Sequence, residues 1–285
     1  MAAPLGIVVV FGCVIGGYMM AGGALPILIQ PPELVVIVGA AIGTLLISSP
    51  GLMKSRVKHV FSMAFKDVIP KKKDYLDLLK LMYELFMLAR RQGVLALESH
   101  AAEPIKSELF KKYPVVAKDE LYRVFLAEAL QHMANGVSAD DLEALLEAEL
   151  DTLTALNHLS GGLVRTVSDA LPGIGIVAAV LGVIVTMGHM NAPPAVIGHH
   201  IAAALVGTFL GILLSYGVVS PIVLSVEIQE AHQRRFLEAI KASVIAVMRG
   251  AAPATAVEFG RKMIFLDERP TFVELDKGLQ GLKGA

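Results

Sequence analysis

ALPGIGIVAAVLGVIVTMGHMNAPPAVIGHHIAAALVGTFLGILLSYGVVSPIVLSV, residues 170–226, contains no Asp, Glu, Lys or Arg. These 57 residues lie between Asp169 and Glu227. A bilayer core is about 30 Å thick, and a helix crosses it with about 20 apolar residues. The stretch is therefore long enough for two crossings and a turn. Residues 1–53 repeat the pattern, with Glu33 as their single charge. All 25 Lys and Arg fall in two blocks, Lys54–Arg165 and Arg234–Lys283. Cytoplasmic flanks collect Lys and Arg, whereas translocated loops lack them. Both basic blocks and both termini are thus expected inside, and both hairpin loops outside. The fold class that follows is all-α: an integral membrane protein with four transmembrane helices and a helical cytoplasmic domain.

Composition agrees. A mean hydropathy of +0.64 and 55% hydrophobic residues exceed what a soluble domain carries. A net charge of −1 gives no reason to expect nucleic acid. The one cysteine, Cys13, sits in an apolar stretch, which removes a disulfide framework and a thiolate metal site. Leu5–Val14 has the length of a signal-peptide core, but no Lys or Arg precedes it and a second apolar segment follows, so it reads as a retained helix. No nucleophile–base or metal-ligand spacing is present, so neither catalytic residues, metal nor cofactor is expected.

The expected first hairpin is Pro4–Ala21 outward and Glu33–Ser49 inward, joined by Gly22–Pro32. Helix 3 is expected from Pro172 to Met190, the loop over Asn191–His200, and helix 4 over Ile201–Val226. Between the hairpins, Tyr75, Leu78, Leu79, Met82, Leu85, Phe86 and Ala89 recur with a helical period across Asp74–Gln92, closed by Gly93. A second helix is expected over Lys118–Ala134, closed by Gly136. Ser138 with Asp141 imitates a capping box and opens a third, with Leu142, Leu145, Leu146 and Leu153 on one stripe and Leu150 at its edge. Glu149 interrupts that stripe. That third helix continues toward helix 3, Glu227–Met248 continues helix 4, and the tail after Pro253 is mixed. The domains are then 1–49, 50–169, 170–226 and 227–285.

Small residues recur every four positions on helix 4, at Ala203, Gly207, Gly211 and Ser215. Helix 3 offers Gly175 with Ala179 and Ala178 with Gly182, and the first hairpin offers Gly12 with Gly16 and Gly39 with Gly43. Such faces let backbones approach closely in lipid. Packing inside one bundle accounts for any single pair, but four faces on four helices suggest an oligomer or a partner helix. Intramembrane carboxylates are the usual ion carriers, and only Glu33 is present, where the default role is an anchor in the first turn of helix 2 and ion uptake is the alternative. A titrating group for ion flow would then come from another chain. His189, His199 and His200 lie at the outer ends of helices 3 and 4, where interfacial exposure to water is the plain reading and a proton antenna the alternative. Pro172 frees the carbonyl of Ser168 and Pro221 that of Gly217, because proline lacks the N–H of the helix ladder. Each marks a helix end or a packing kink, or the two together form a deformable layer at one depth.

The stretch Ala204-Leu-Val-Gly-Thr208-Phe-Leu-Gly211 followed by Pro221 resembles the signature of the flagellar-motor stator family MotA. So do Pro172-Gly-Ile-Gly-Ile-Val-Ala-Ala179-Val-Leu-Gly182, Ala256-Val-Glu-Phe-Gly-Arg-Lys262 and Arg269-Pro-Thr-Phe-Val-Glu274-Leu. The resemblance runs from the first hairpin to the tail. It implies a multi-pass protein of the bacterial inner membrane, a homopentamer around a dimer of MotB. That partner supplies the ion-binding aspartate and anchors to peptidoglycan. Ion flow would turn the ring, whose cytoplasmic heads push the rotor protein FliG. By position, Pro172 and Pro221 match the two prolines that couple ion flow to movement, and Arg90 and Glu98 match the charged rotor contacts. Arg91 is a neighbouring alternative to Arg90, and a solvated helix end is the plain reading of all three charges.

Thr208 matches a threonine near the family's ion path. Sodium-driven members resembling PomA carry a second threonine where this chain has Ala179. A methyl group offers a hard cation no oxygen ligand, so protons are the expected ion. At 1.5 Å per residue, Ala179 lies about 10 Å above Pro172 and Thr208 about 20 Å above Pro221. Either the helix ends differ from those assigned or the two positions do not share a layer. An ExbB- or TolQ-like energiser is the alternative reading. Those proteins resemble this chain in helices 3 and 4 but have three membrane helices and an outside N-terminus.

Overall fold

The computed structural model describes residues 2–48, 51, 53–66 and 69–282. The expected boundaries at Ser49, Pro50 and Lys283 lie outside the described residues. Every regular element among those residues is helical. Four helices are long and apolar enough to cross a membrane, within Ala3–Met20, Leu25–Ser48, Ala139–Met187 and Pro194–Met248. The chain divides into two compact units, residues 1–68 with 156–228 and residues 69–155 with 229–285.

In the first unit, α1 spans Ala2–Met20 and α3 spans Pro31–Ser48. The connection between them holds an unanticipated turn of helix, α2 (Leu25–Leu28), opened by Pro26. α4 (Met53–Ala64) buries Val57, Val60, Met63 and Ala64 in one cluster with Val164, Ile222, Val223 and Val226. That packing draws residues 53–66 into the apolar unit.

Two expected helix starts move. The helix opened after Ser138 does continue into helix 3, so α10 runs unbroken over Ala139–Met187 and Pro172 lies inside it and not at a start. Helix 4 does not wait for Ile201: α11 begins at Pro194 and runs to Leu214. Proline is favoured at a first helical position because its missing N–H has no partner there and its φ is already helical. Pro193–Pro194 therefore starts the helix and does not prolong the loop, and His199 and His200 are helical. A π turn, Ser215–Val219, follows, and α12 (Ser220–Met248) continues as expected.

The second unit has its own core. α5 (Lys72–Gln92) buries Leu81 and Tyr83 as well as the expected stripe, while Ala89 is only partly buried. Neighbours on several sides explain this: α5 packs against α13 (Pro253–Met263), α14 (Phe272–Gln280) and a 3-10 turn, Val94–Leu97. α6 (Glu98–Ala102), α7 (Glu108–Lys111) and α8 (Pro114–Lys118) are short. α9 (Glu120–Ala134) starts two residues later than expected, because Asp119 accepts the Tyr122 N–H as its cap and Lys118 ends α8. At the start of α10 the Asp141 N–H donates to Ser138 Oγ at 3.1 Å. Leu142, Leu146 and Leu150 are buried there, whereas Leu145 is exposed. At about 100° per residue, Leu142, Leu146, Leu150 and Leu153 share an arc whose centre lies about 100° from Leu145. Leu145, not Leu150, is the outlier. Glu149 is half-buried, and its carboxyl is pushed up by desolvation first and by the nearby Glu128 second.

The tail is ordered by the residues quoted for the family resemblance. A side chain at Gly260 would collide with Ser243 Oγ and lie 2.7 Å from Ala239 O, so α13 seats its backbone on α12. Arg261 is buried, pairs with Glu258 and donates from Nη1 to Pro270 O at 2.9 Å. Arg269 donates from Nε to Ile264 O at 3.0 Å. Thr271 and Glu274 form a reciprocal capping box that opens α14.

Candidate functional site

Glycines set the distance between α10 and α11. A Cβ at Gly211 would lie 2.6 Å from Leu171 O and 2.9 Å from Gly175 Cα. One at Gly182 would lie 2.7 Å from Ala204 Cβ, and one at Gly207 3.0 Å from Ala178 Cβ and 3.2 Å from Ala179 N. The small-residue faces of both helices are thus spent on each other. A Cβ at Gly12, Gly16, Gly39 or Gly43 would meet nothing within 4 Å, which leaves those faces of α1 and α3 open.

This close approach yields a direct prediction. Gly211→Ala should cost about 1–3 kcal/mol, the range for forcing an extra methyl into a tight core. Gly173→Ala, two residues from Gly175 but on the open side of α10, should be tolerated. Thermal melting of the purified protein in detergent compares the two, and equal melting points would mean that the seam is loose.

The seam settles the question of depth. Ala179 N lies beside Gly207, so Ala179 and Thr208 share a level. Counting down from that level, Pro172 is seven residues away and Pro221 thirteen. The prolines are therefore about 9 Å apart along the bundle, which corrects the expectation of one shared layer. Each freed carbonyl has a different fate. Ser215 Oγ donates to Ser168 O at 2.7 Å, which fills the vacancy that Pro172 leaves. Above Pro221 the ladder slips to π spacing, with the Ser220 N–H bonded to Ser215 O.

Glu33 is the larger correction. It stands in the first turn of α3, as expected, but its carboxylate is buried beside the middle of α11 and not at an outer end. A Cβ at Gly207 would lie 2.8 Å from Glu33 Oε2, and one at Gly182 would lie 3.3 Å from Oε1. Gly207 is thirteen residues into α11, about 20 Å from its first residue. A cavity of about 380 Å³ opens beside Glu33, lined by Gln30, Gly182, His199 and His200 among others. His189 stacks on His200 with ring centroids 5.2 Å apart.

Arg90 ends α5, and Glu98 opens α6 beyond Gly93 and the 3-10 turn. Gly93 has φ +90°, which L side chains rarely adopt. Arg90, Arg91 and Glu98 are exposed, and no ion pair among the described residues involves any of them. Between them Leu95 is 70% exposed. A cavity of about 490 Å³ beside this tip is lined by Arg90, Phe86, Val94, Met133, Val247 and Pro253 among others.

Four apolar helices, a glycine-packed pair and a separate helical unit define a multi-pass membrane protein. Residues 117–253 match the MotA/TolQ/ExbB proton channel family, and residues 4–93 match the motility protein A N-terminal family. The chain is 37% identical to motility protein A of Escherichia coli over 98% of its own length and 95% of that protein. It is 35% identical to chemotaxis protein LafT of Vibrio parahaemolyticus, over 98% of this chain and 99% of that one. Its fold resembles a chain of the flagellar MotAB stator complex from Bacillus subtilis with a TM-score of 0.77, at 24% identity over 99% of this chain and 98% of that one. The chain belongs to the motility protein A family.

Proposed function

We propose that this chain is a stator subunit of the bacterial flagellar motor, in the inner membrane with both termini and both basic blocks cytoplasmic. Five copies surround a dimer of a MotB-type partner, which contributes an ion-binding aspartate and is held to the cell wall. The open glycine faces of α1 and α3 are suited to neighbouring copies or to that partner. Residues 1–49 and 170–226 form the two membrane hairpins. Residues 50–169 transmit torque, and residues 227–285 extend helix 4 and close the cytoplasmic unit. Arg90 and Glu98 meet the rotor protein FliG.

One observation carries this reading. Thr208 and Ala179 lie at one level on a seam too tight for side chains, and both helices continue past a proline into charged segments. Ions moving beside the seam can then be felt by α10 and α12 through hydrogen bonds that Pro172 and Pro221 have already weakened. The four candidate spans and the match of residues 4–93 favour a flagellar stator over the three-helix energisers. Expressed in a bacterium lacking its own stator pair, the chain should restore swimming only together with a MotB-type partner. Swimming without that partner, or none with it, would overturn the reading.

Ala179 leaves the seam one oxygen ligand short for a hard cation. Motility should therefore survive replacement of sodium by potassium and stop with a protonophore. Swimming speed that follows external sodium at constant pH would show that the ion is sodium.

A further inference from the structure

We propose that Glu33, with His199 and His200, forms a buried proton-loading site that takes protons from external water through the cavity beside it and feeds the ion path along the α10–α11 seam. The inference rests on the stator reading for where the proton goes next, but its structural basis is separate. Glu33 is 8% exposed, and its Oε2 is buried with no hydrogen-bond partner among the described residues. An unpaired carboxylate in such a place is costly, and ionisable groups inside a membrane bundle mark ion pathways. Gly182 and Gly207 are the residues that make room for it, since a Cβ at either would press on its oxygens. The pocket is thus shaped around the carboxylate.

What faces Glu33 limits its counter-charge. α11 presents His199 and His200; α10 presents Ala178, Leu181, Gly182 and Val185, none of them titratable; α3 adds only Pro32 and Val36. Gln30 already donates from Nε2 to Ile27 O at 3.0 Å. Neither residues 1–53 nor residues 170–226 contain a Lys or Arg. No fixed cation is available, so the balancing charge must be mobile. The 380 Å³ cavity has ample space for several waters, and the two imidazoles on its wall offer ring nitrogens that can hydrogen-bond them. In the loading step a hydronium ion in the cavity gives its proton to the Glu33 carboxylate, leaving water and a neutral carboxyl. In the unloading step that carboxyl gives the proton to a carboxylate of the partner chain, and Glu33 returns to its charged form. Its place beside Gly207, next to Thr208 and opposite Ala179, puts it within reach of the seam.

Two measurements on the complete stator complex in liposomes test this. Glu33→Gln should assemble with the partner and lower proton flux by roughly a hundredfold, the scale for losing one proton-transfer group. Glu33→Asp should keep part of the flux, and His199→Gln with His200→Gln should shift its dependence on external pH. Wild-type flux in an assembled Glu33→Gln complex would overturn the proposal, as would flux that rises with sodium at fixed pH and needs Glu33. Infrared titration with isotope-labelled glutamate reads the same site without relying on flux or on a variant. A buried glutamic carboxyl band that appears and vanishes with external pH supports the proposal, and a band that does not respond overturns it. A wild-type complex that conducts nothing while this band titrates would instead count against the stator reading.

Discussion

Arg90→Glu combined with Glu98→Lys is expected to abolish swimming almost completely while ion flux through the complex stays normal. The two charges flank an exposed turn, one at the end of α5 and one at the start of α6, with Leu95 exposed between them. They are not engaged in ion pairs within the described residues, so reversing them breaks no such internal contact. An exposed pair contributes only about 0–1 kcal/mol. Neutralising one charge, as in Arg90→Ala, should therefore weaken motility without ending it. Reversal is different, because it turns attraction into repulsion across the same surface and misdirects each encounter with the rotor. Salt screens such charges over about 8 Å at physiological strength, so raised ionic strength should soften the defect. Complementary reversals on FliG should recover part of the torque. Measured torque in the double variant equal to wild type would assign the rotor contact elsewhere, and Arg91 would be the next residue to test.

Much of this architecture is legible from charge alone. The stretches at residues 1–53, with Glu33 as their single charge, and 170–226, with none, mark the four spans, and the four-residue rhythm of Ala203, Gly207, Gly211 and Ser215 marks the face that α10 meets. What the sequence hides is longer in range. Pro31-Pro32-Glu33 reads as the start of a helix with an anchoring acid, and nothing local reveals that Gly182 and Gly207, far along the chain, leave a space for its carboxylate. The π turn at Ser215–Val219 has no periodic signature, because it is one residue of slippage inside an apolar run. Proline rules misplaced both ends of the second hairpin for opposite reasons. Pro172 looked like a start but is tolerated in mid-helix, where Ser215 supplies a substitute donor, while Pro194 looked like loop but occupies the first position of a helix. Arg90 and Glu98 were visible only through family resemblance, since an exposed Arg and Glu carry no signal of their own.

Pro221→Ala and Pro172→Ala are expected to leave the protein assembled and at least as stable as wild type, yet with little torque. Proline in a helix interior costs about 3 kcal/mol, because it removes a ladder hydrogen bond and crowds the preceding turn. Alanine restores that donor. At position 172 the new N–H would bond Ser168 O and displace the Ser215 hydroxyl, cutting the shortest side-chain link between α10 and the π turn and leaving the 3.4 Å contact from Ser168 Oγ to Ser215 O. At position 221 it would bond Gly217 O and favour the ordinary ladder over π spacing. Both changes stiffen helices that, in the proposed coupling role, yield as ions pass. The effects should also differ in kind, since the prolines lie about 9 Å apart along the bundle. Ser215→Ala removes the same link as Pro172→Ala without adding a backbone donor. It should reproduce part of the Pro172→Ala defect and none of the stabilisation. Loss of either proline variant from the membrane, or a lowered melting temperature in the purified complex, would make the prolines structural. Normal torque from both would remove them from the coupling path.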